Sequence, residues 1–235
     1  MTTPELSILV PTYNERATLP FLLDDLGGLR VPHEVVVADG GSTDGTVAYA
    51  LERGVSVVSS PRGRGTQLGA AARGARASVL CALHADVRLP AATLATIDAW
   101  VATPAATALA FSLAIDGVGL PLALIAAAAN VRSRVLHLPY GDQGLLMTRA
   151  MYEGAGGYPA IPIMEDVAIV RALSRSVGIT ISAERVVASA RRWERDNPWG
   201  RSFRNVALLT AFLCGVSPER IAGWYDSPQT GITRG

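Results

Sequence analysis

EVVVADGGSTDGT, residues 34–46, decides the fold. Val35, Val36 and Val37 stand in a row with no polar residue between them. Such a β-branched, non-alternating run reads as a strand buried on both faces, as in a covered parallel sheet. Asp39 ends the strand, and Gly40-Gly41 let the backbone turn and come close to a ligand. Thr43 or Asp44 can cap a helix that runs to about Arg53. The same pattern extends to either side. LSILV (6–10) is a strand stopped at Pro11, and 15–28 carries Leu19, Leu22, Leu23 and Leu26 at helical spacing. VSVVSS (55–60) is a third strand, 66–75 a helix, SVLCAL (78–83) a fourth strand, and 91–102 a helix opening at Pro90. Strands alternating with helices predict an α/β fold. With right-handed crossovers this becomes a mostly parallel, doubly wound sheet with helices on both faces.

The second half is less regular. ALAFSLAI (108–115) and QGLLMT (143–148) read as strands, 120–136 and 199–215 as helices, and 179–188 as one or two short strands. IMEDVAIVRALSRSV (163–177) is an amphipathic helix whose polar start is Glu165-Asp166. No repeat or linker divides the chain. The expectation is one domain over 1–225, with a ligand-binding half at about 1–90, a second half at about 91–225, and a flexible tail at 226–235.

Composition narrows the partners. The chain has 235 residues, is 49% hydrophobic and carries a net charge of +1, so nothing suggests a nucleic-acid partner. Every basic residue apart from the histidines is Arg, which leaves Arg, helix N-termini and backbone N–H groups to hold any phosphate. Cys81 and Cys214 lie in apolar runs and read as buried free thiols, in keeping with a cytoplasmic location. LPLALIAAAANV (120–131) and NVALLTAFLCGV (205–216) fall short of the ~20 apolar residues a spanning helix needs. They read as buried or interfacial helices, and peripheral contact with the inner face of a membrane stays open.

In open α/β sheets, ligands sit beyond the carboxyl ends of the strands. Four polar clusters fall there: Thr12-Tyr13-Asn14-Glu15, Asp39-Gly40-Gly41, Arg62 to Gly65, and His84-Ala85-Asp86. Asn14 and Glu15 can simply start a helix. Asp39 can accept hydrogen bonds from a ribose or base edge, or can close a tight turn. Arg62 and Arg64 in a glycine loop before a helix favour an anion such as a diphosphate, or form a solvated basic loop. In an extended segment His84 and Asp86 point the same way. Asp86 suits Mg²⁺ or Mn²⁺, which often keep water and bind substrate phosphate. His84 can be a further ligand or a nucleotide contact, and a plain strand end is the alternative for both. In GDQG (141–144), Asp142 and Gln143 are acceptor or sugar contacts, or a polar turn. His33 and His137 read as structural or surface residues.

In this order and spacing SILVPTYNE, VVVADGGSTDGT, the Arg/Gly loop, LHADV and IMEDVAIVRAL resemble the family 2 glycosyltransferases of the GT-A, Rossmann-like fold. The likeness covers about residues 5–195. The compact length, HAD in place of D-x-D, and ARRWE are similar to a bacterial subgroup associated with arsenosugar biosynthesis. The resemblance implies an inverting, metal-dependent transfer of a sugar from a nucleotide-diphosphate donor to a small-molecule or lipid-linked acceptor. Pro11, Tyr13, Glu15, Asp39, Arg62, Arg64 and His84 would line the nucleotide site, and Asp44 would support the Asp39 loop. Asp86 would hold Mg²⁺ or Mn²⁺, Asp166 would be the catalytic base, and Glu165 would stand beside it. Arg192 and Trp193 would match the end of the Q-x-x-R-W motif of processive members. Ser189 or Ala188 stands near the place of its Gln, which implies non-processive transfer.

Two other readings remain. A nucleotidyltransferase on a similar sheet would typically open with a Gly-rich signature and a Lys near the first strand, and LVPTYNE has neither. A non-catalytic sugar-nucleotide-binding module would bind the donor without turnover.

Overall fold

The computed structural model describes residues 3–117, 119–190 and 198–226. The first half contains β1 (Leu6–Thr12), α1 (Leu19–Leu26), β2 (His33–Asp39), α2 (Thr46–Glu52), β3 (Ser56–Ser59), α3 (Arg64–Gly74), β4 (Val79–Ala82), β5 (Val87–Arg88) and α4 (Ala91–Ala102). The second contains β6 (Ala108–Asp116), α5 (Leu120–Leu136), a 3₁₀ turn (Gly141–Gln143), β7 (Leu145–Thr148), α6 (Arg149–Gly154), α7 (Glu165–Ser176), β8 (Ile179–Ser189), α8 (Pro198–Leu213) and α9 (Pro218–Asp226). All eight strands form one sheet in the order β3-β2-β1-β4-β7-β6-β8-β5.

The valine run does what its pattern requires. Val37 joins Ile8 and Val10 in a core with Leu22, Leu94, Ile97 and Trp100, on the face covered by α1 and α4. Val36, Ala38 and Leu9 join Leu68, Ala71, Ile169 and Leu173 on the other face, covered by α3 and α7. Alternate residues therefore feed two apolar layers, which explains the absence of alternation. The β1/β4 register ends at Leu9↔Ala82. Leu9 O still accepts from Leu83 N at 3.0 Å. Pro11 faces the same side two residues on, past the last pair, where its missing donor leaves no ladder bond unmade.

Strands β1 to β4 are parallel neighbours, and β6 is parallel to β8. Strand β7 departs from a purely parallel reading, since it runs antiparallel to both β4 and β6. Its entry turn, 139–144, therefore lies at the carboxyl edge with the loops after β1 to β4.

Several boundaries move for identifiable reasons. Helix α1 starts at Leu19 rather than near residue 15, because Pro20 fits only a first turn. Strand β7 starts at Leu145, after Gln143 is taken into the 3₁₀ turn. The pattern gave no notice of β5, α6 or α9. The first two are too short to show a period, and α9 includes Asp226, assigned above to a tail whose remainder lies outside the described residues. Cys81 is buried and its thiol is pushed up to about 12 by desolvation. Cys214 is exposed, which corrects the expectation that both thiols are buried.

Gly65 is where α3 meets the entry to α7. A Cβ there would collide with the Pro159 carbonyl oxygen and come within 3.0 Å of Glu165 Cβ. Gly65→Ala is expected to lower the unfolding free energy by about 1–3 kcal/mol through overpacking, read from the urea midpoint at unchanged m.

Candidate active site

A cleft of about 690 Å³ opens at the carboxyl edge of the sheet. Pro11, Tyr13, Glu15, Arg62, Arg64, His84, Asp142 and Asp166 line it. Loops after β1, β3 and β4, the turn before β7 and the start of α7 thus meet at one opening.

The first wall is a laced pair of loops. Asn14, at φ 56, donates its N–H to Ser42 Oγ and accepts from Thr43 N, at 2.8 and 2.9 Å. Glu15 N donates to Thr46 Oγ1 at 2.9 Å, and Arg16 N to Asp44 Oδ2 at 3.0 Å. Asn14 therefore ties two loops together instead of capping α1. Asp44 precedes Gly45, which holds the N-cap position of α2. Desolvation pushes the Asp44 carboxyl up, but the hydrogen bonds from Thr46 and Arg16 together hold it below the usual range.

Asp39 stands outside the cleft lining. It is buried and accepts from Thr12 Oγ1 at 3.0 Å, Gly41 N at 2.9 Å, Ser42 N at 2.8 Å and the Ser42 hydroxyl. Four donors fill the acceptor capacity of a carboxylate. Burial pushes its pKa up, but the Ser42, Thr12 and Gly41 bonds hold it below the ordinary value.

The second wall begins at the N-terminus of α3. Gly63 sits at φ 139, a region that favours glycine, and lets Arg62 and Arg64 flank the helix start. The Arg62 guanidinium lies 3.9 Å over the Tyr13 ring. Gln67, which sequence reasoning missed, is buried at the cleft and donates to Thr12 O at 2.7 Å and Ala38 O at 2.8 Å. It pins α3 across the ends of β1 and β2. A Gln one turn into a helix carries no motif signal, so only the packing reveals it.

Arg64 Nε also pairs with Glu165 Oε1 at 2.7 Å. Glu165 is 2% exposed and does not line the cleft. Burial pushes its carboxyl up to about 7, against the pull of Arg64 and with the Asp166 charge adding to the rise. Arg64 in turn is raised, its desolvation outweighed by the Glu165 and Asp166 charges. Glu165 is thus a strut between α3 and α7, not a group that can touch substrate from its present place.

Asp166 faces the opening. Its Oδ2 accepts from Gly141 N at 2.9 Å and its Oδ1 from Val167 N at 2.8 Å. Gly141 is the close neighbour of His84 as well. A Cβ built there would lie 2.7 Å from His84 Nε2 and 3.5 Å from Asp166 Oδ2. The imidazole and the carboxylate therefore flank one glycine. Asp142 lines the cleft beside it, whereas Gln143 does not. Gln143 is fully buried, donating to Phe111 O at 2.9 Å and accepting from Ser133 Oγ at 2.7 Å and Tyr140 N at 3.1 Å. Its amide is engaged by the turn that presents Gly141 and Asp142.

His84 and Asp86 are each 8% exposed, but only His84 lines the cleft. The chain turns at Ala85-Asp86, which breaks the two-residue alternation and with it the expectation that both point one way. Among the described residues no cluster of three or more His, Cys, Asp or Glu side chains could hold a metal by itself. At the end of β4 the imidazole of His84 is the donor at the cleft wall, and the Asp86 carboxylate stands two residues on, outside the lining. Tyr140, Asn205, Leu208, Ala222 and Tyr225 complete the far wall, unmarked by any sequence signal. Arg192 and Trp193 lie outside the described residues.

No curated protein matches the chain in sequence. Solved structures share its fold. S. aureus TarS (residues 1–349) aligns at TM-score 0.62 and 20% identity over 88% of this chain, which spans 64% of that fragment. Glucosyl-3-phosphoglycerate synthase from Mycobacterium tuberculosis, in complex with Mn²⁺, UDP and glucosyl-3-phosphoglycerate, aligns at 0.63 and 17% identity, covering 91% of this chain and 81% of that one. Mannosyltransferase PcManGT from Pyrobaculum calidifontis, with GDP-Man and Mn²⁺, aligns at 0.56 and 22% identity, covering 80% and 57%. Residues 7–124, half of the chain, match the family described as Glycosyl transferase family 2. The chain carries that family's domain on the corresponding fold, and it belongs to glycosyl transferase family 2.

Proposed function

We propose that the cleft transfers a sugar from a nucleotide-diphosphate donor to an acceptor hydroxyl by a single, inverting displacement. The observation that carries this reading is the meeting of Arg62, Arg64 and the α3 N-terminus with the Asp166 carboxylate in one opening. Arginines at a helix start suit a diphosphate. Tyr13, under Arg62, offers a ring edge or face to the base. Asp166, its two oxygens oriented by Gly141 and Val167, takes the acceptor proton as the hydroxyl oxygen bonds to the anomeric carbon. The carbon–oxygen bond to the diphosphate breaks, and the diphosphate leaves with the electron pair. Attack opposite the leaving group inverts the anomeric configuration.

The family resemblance assigns Mg²⁺ or Mn²⁺ to Asp86, and His84 at the cleft wall is the second residue that would hold it. When bound, it stabilises charge on the departing diphosphate. Mn²⁺ in the mycobacterial and Pyrobaculum complexes supports this. Asp142 and Arg192-Trp193 are proposed to meet the acceptor or sugar, whether a small molecule or lipid-linked. Ser189, near the place of the motif's Gln, supports non-processive transfer. The likeness to the arsenosugar subgroup rests on the compact length, His84-Ala85-Asp86 and ARRWE (190–194).

A thermal-shift series with UDP-, GDP- and dTDP-sugars, with and without Mn²⁺, tests the reading. A donor at ~100 times its Kd is expected to stabilise the folded chain by about 2.7 kcal/mol. No shift with any donor, with or without the ion, counts against it.

A further inference from the structure

The two apolar runs fold into α5 and α8, and both turn an apolar side outward. Inward, α5 packs Ala129 and Ser133, and its Asn130 amide bonds Leu113 N and O at 2.7 and 2.9 Å. Outward it shows Leu120, 71% exposed, with Leu124, Val131 and Val135. These positions (i, i+4, i+11, i+15) fall within about 60° of the helix circumference. Exposed Ala123, Ala127 and Ala128 fill the gaps, giving a stripe about 25 Å long. Helix α8 repeats the arrangement. Leu208 and Leu209 face the core, while Phe203, 74% exposed, Val206, Ala207 and Leu213 face out. The two helices pack against each other. An ordinary surface helix turns its polar face outward. Adjacent apolar stripes mark a docking surface, unlike single exposed residues.

Charge selects the occupant. Neither helix contains Asp or Glu, and Arg134, exposed beside the stripe of α5, gives this face a positive charge. A second copy related by a two-fold axis would set arginine against arginine. An anionic phospholipid surface complements a face that carries Arg134 and no carboxylate from either helix. Exposed Trp224, on α9 beside α8, is a residue type that favours the headgroup level. The same helices also wall the cleft, with Asn205 and Leu208 of α8 and Ala222 and Tyr225 of α9 on its far side.

We infer that α5 and α8 dock the protein on an anionic bilayer surface, bringing the far wall of the cleft beside the headgroups. This inference stands apart from the sugar-transfer reading, because it is tested by partitioning alone. Full-length chain is sedimented with vesicles of equal parts phosphatidylglycerol and phosphatidylcholine, and with phosphatidylcholine alone. The chain is expected to bind the anionic vesicles preferentially and to release as salt is raised. The double variant Val131→Glu, Phe203→Glu is expected to weaken binding at least ~10-fold. Both side chains are exposed, so its melting temperature should match the parent's. No binding to anionic vesicles, equal binding to phosphatidylcholine, or unaltered binding by the variant overturns the inference. So does a dimer in gel filtration that the variant splits while vesicle binding is absent.

Discussion

Asp166→Asn is expected to lower kcat for sugar transfer by about 10²–10⁴-fold, the range of positioned base catalysis. The carboxylate lies at the start of α7 with Gly141 N on one oxygen and Val167 N on the other. An amide keeps the size and one acceptor oxygen but cannot take the proton of the attacking hydroxyl. Donor affinity should change little, because arginines of the opposite loop hold the diphosphate in this reading. The check is transfer under single-turnover conditions beside a donor-binding titration. A variant with parental kcat would end the base assignment, and one that lost donor binding in equal measure would recast Asp166 as a binding residue. Glu165→Gln provides the contrast. It disturbs the strut to Arg64 without touching the opening, so it should show mainly as lowered stability.

Asp86→Ala is expected to cost about 100-fold or more in transfer, since an ion's stabilisation of a leaving diphosphate contributes several kcal/mol. It should also abolish the gain in nucleotide affinity that Mn²⁺ gives the parent. Nucleotide binding without the ion should persist through the Arg62/Arg64 loop. A variant whose nucleotide affinity still rises with Mn²⁺ would remove Asp86 from the ligand set and leave His84 as the donor at the cleft wall. The structure makes this second measurement the decisive one, because Asp86 is buried outside the cleft lining whereas His84 lines it.

The strands that could be read in advance were those with a two-sided apolar environment. LSILV, EVVVAD and SVLCAL each carry an unbroken apolar run (ILV, VVVA and VLCAL), and each became an internal strand of the sheet. Strand β7 was legible as a strand but not in direction, since antiparallel and parallel neighbours bury the same residues. Two-residue β5 was illegible, because its pairing with β8 is a contact over ninety residues away in the chain. Within the site, residues in strand-end motifs were visible and their contacts were not. Asp39, Glu165 and Gln143 are polar groups in suggestive places, yet each is used up by neighbours: the Ser42 turn, Arg64, and the Ser133–Tyr140 frame.

Local pattern thus sufficed for the α/β class, the positions of the edge loops and the candidacy of the arginine loop, whereas Asp166 was implied by the family resemblance. The first three follow from residue spacing, which neighbours along the chain impose. Which carboxylate meets the cleft, which is buried in a strut, and which side of α5 and α8 faces water depend on distant segments closing over them. A hydrogen bond from Gly141 to Asp166, or a Cβ clash that only glycine at 65 avoids, exists only once those segments are packed.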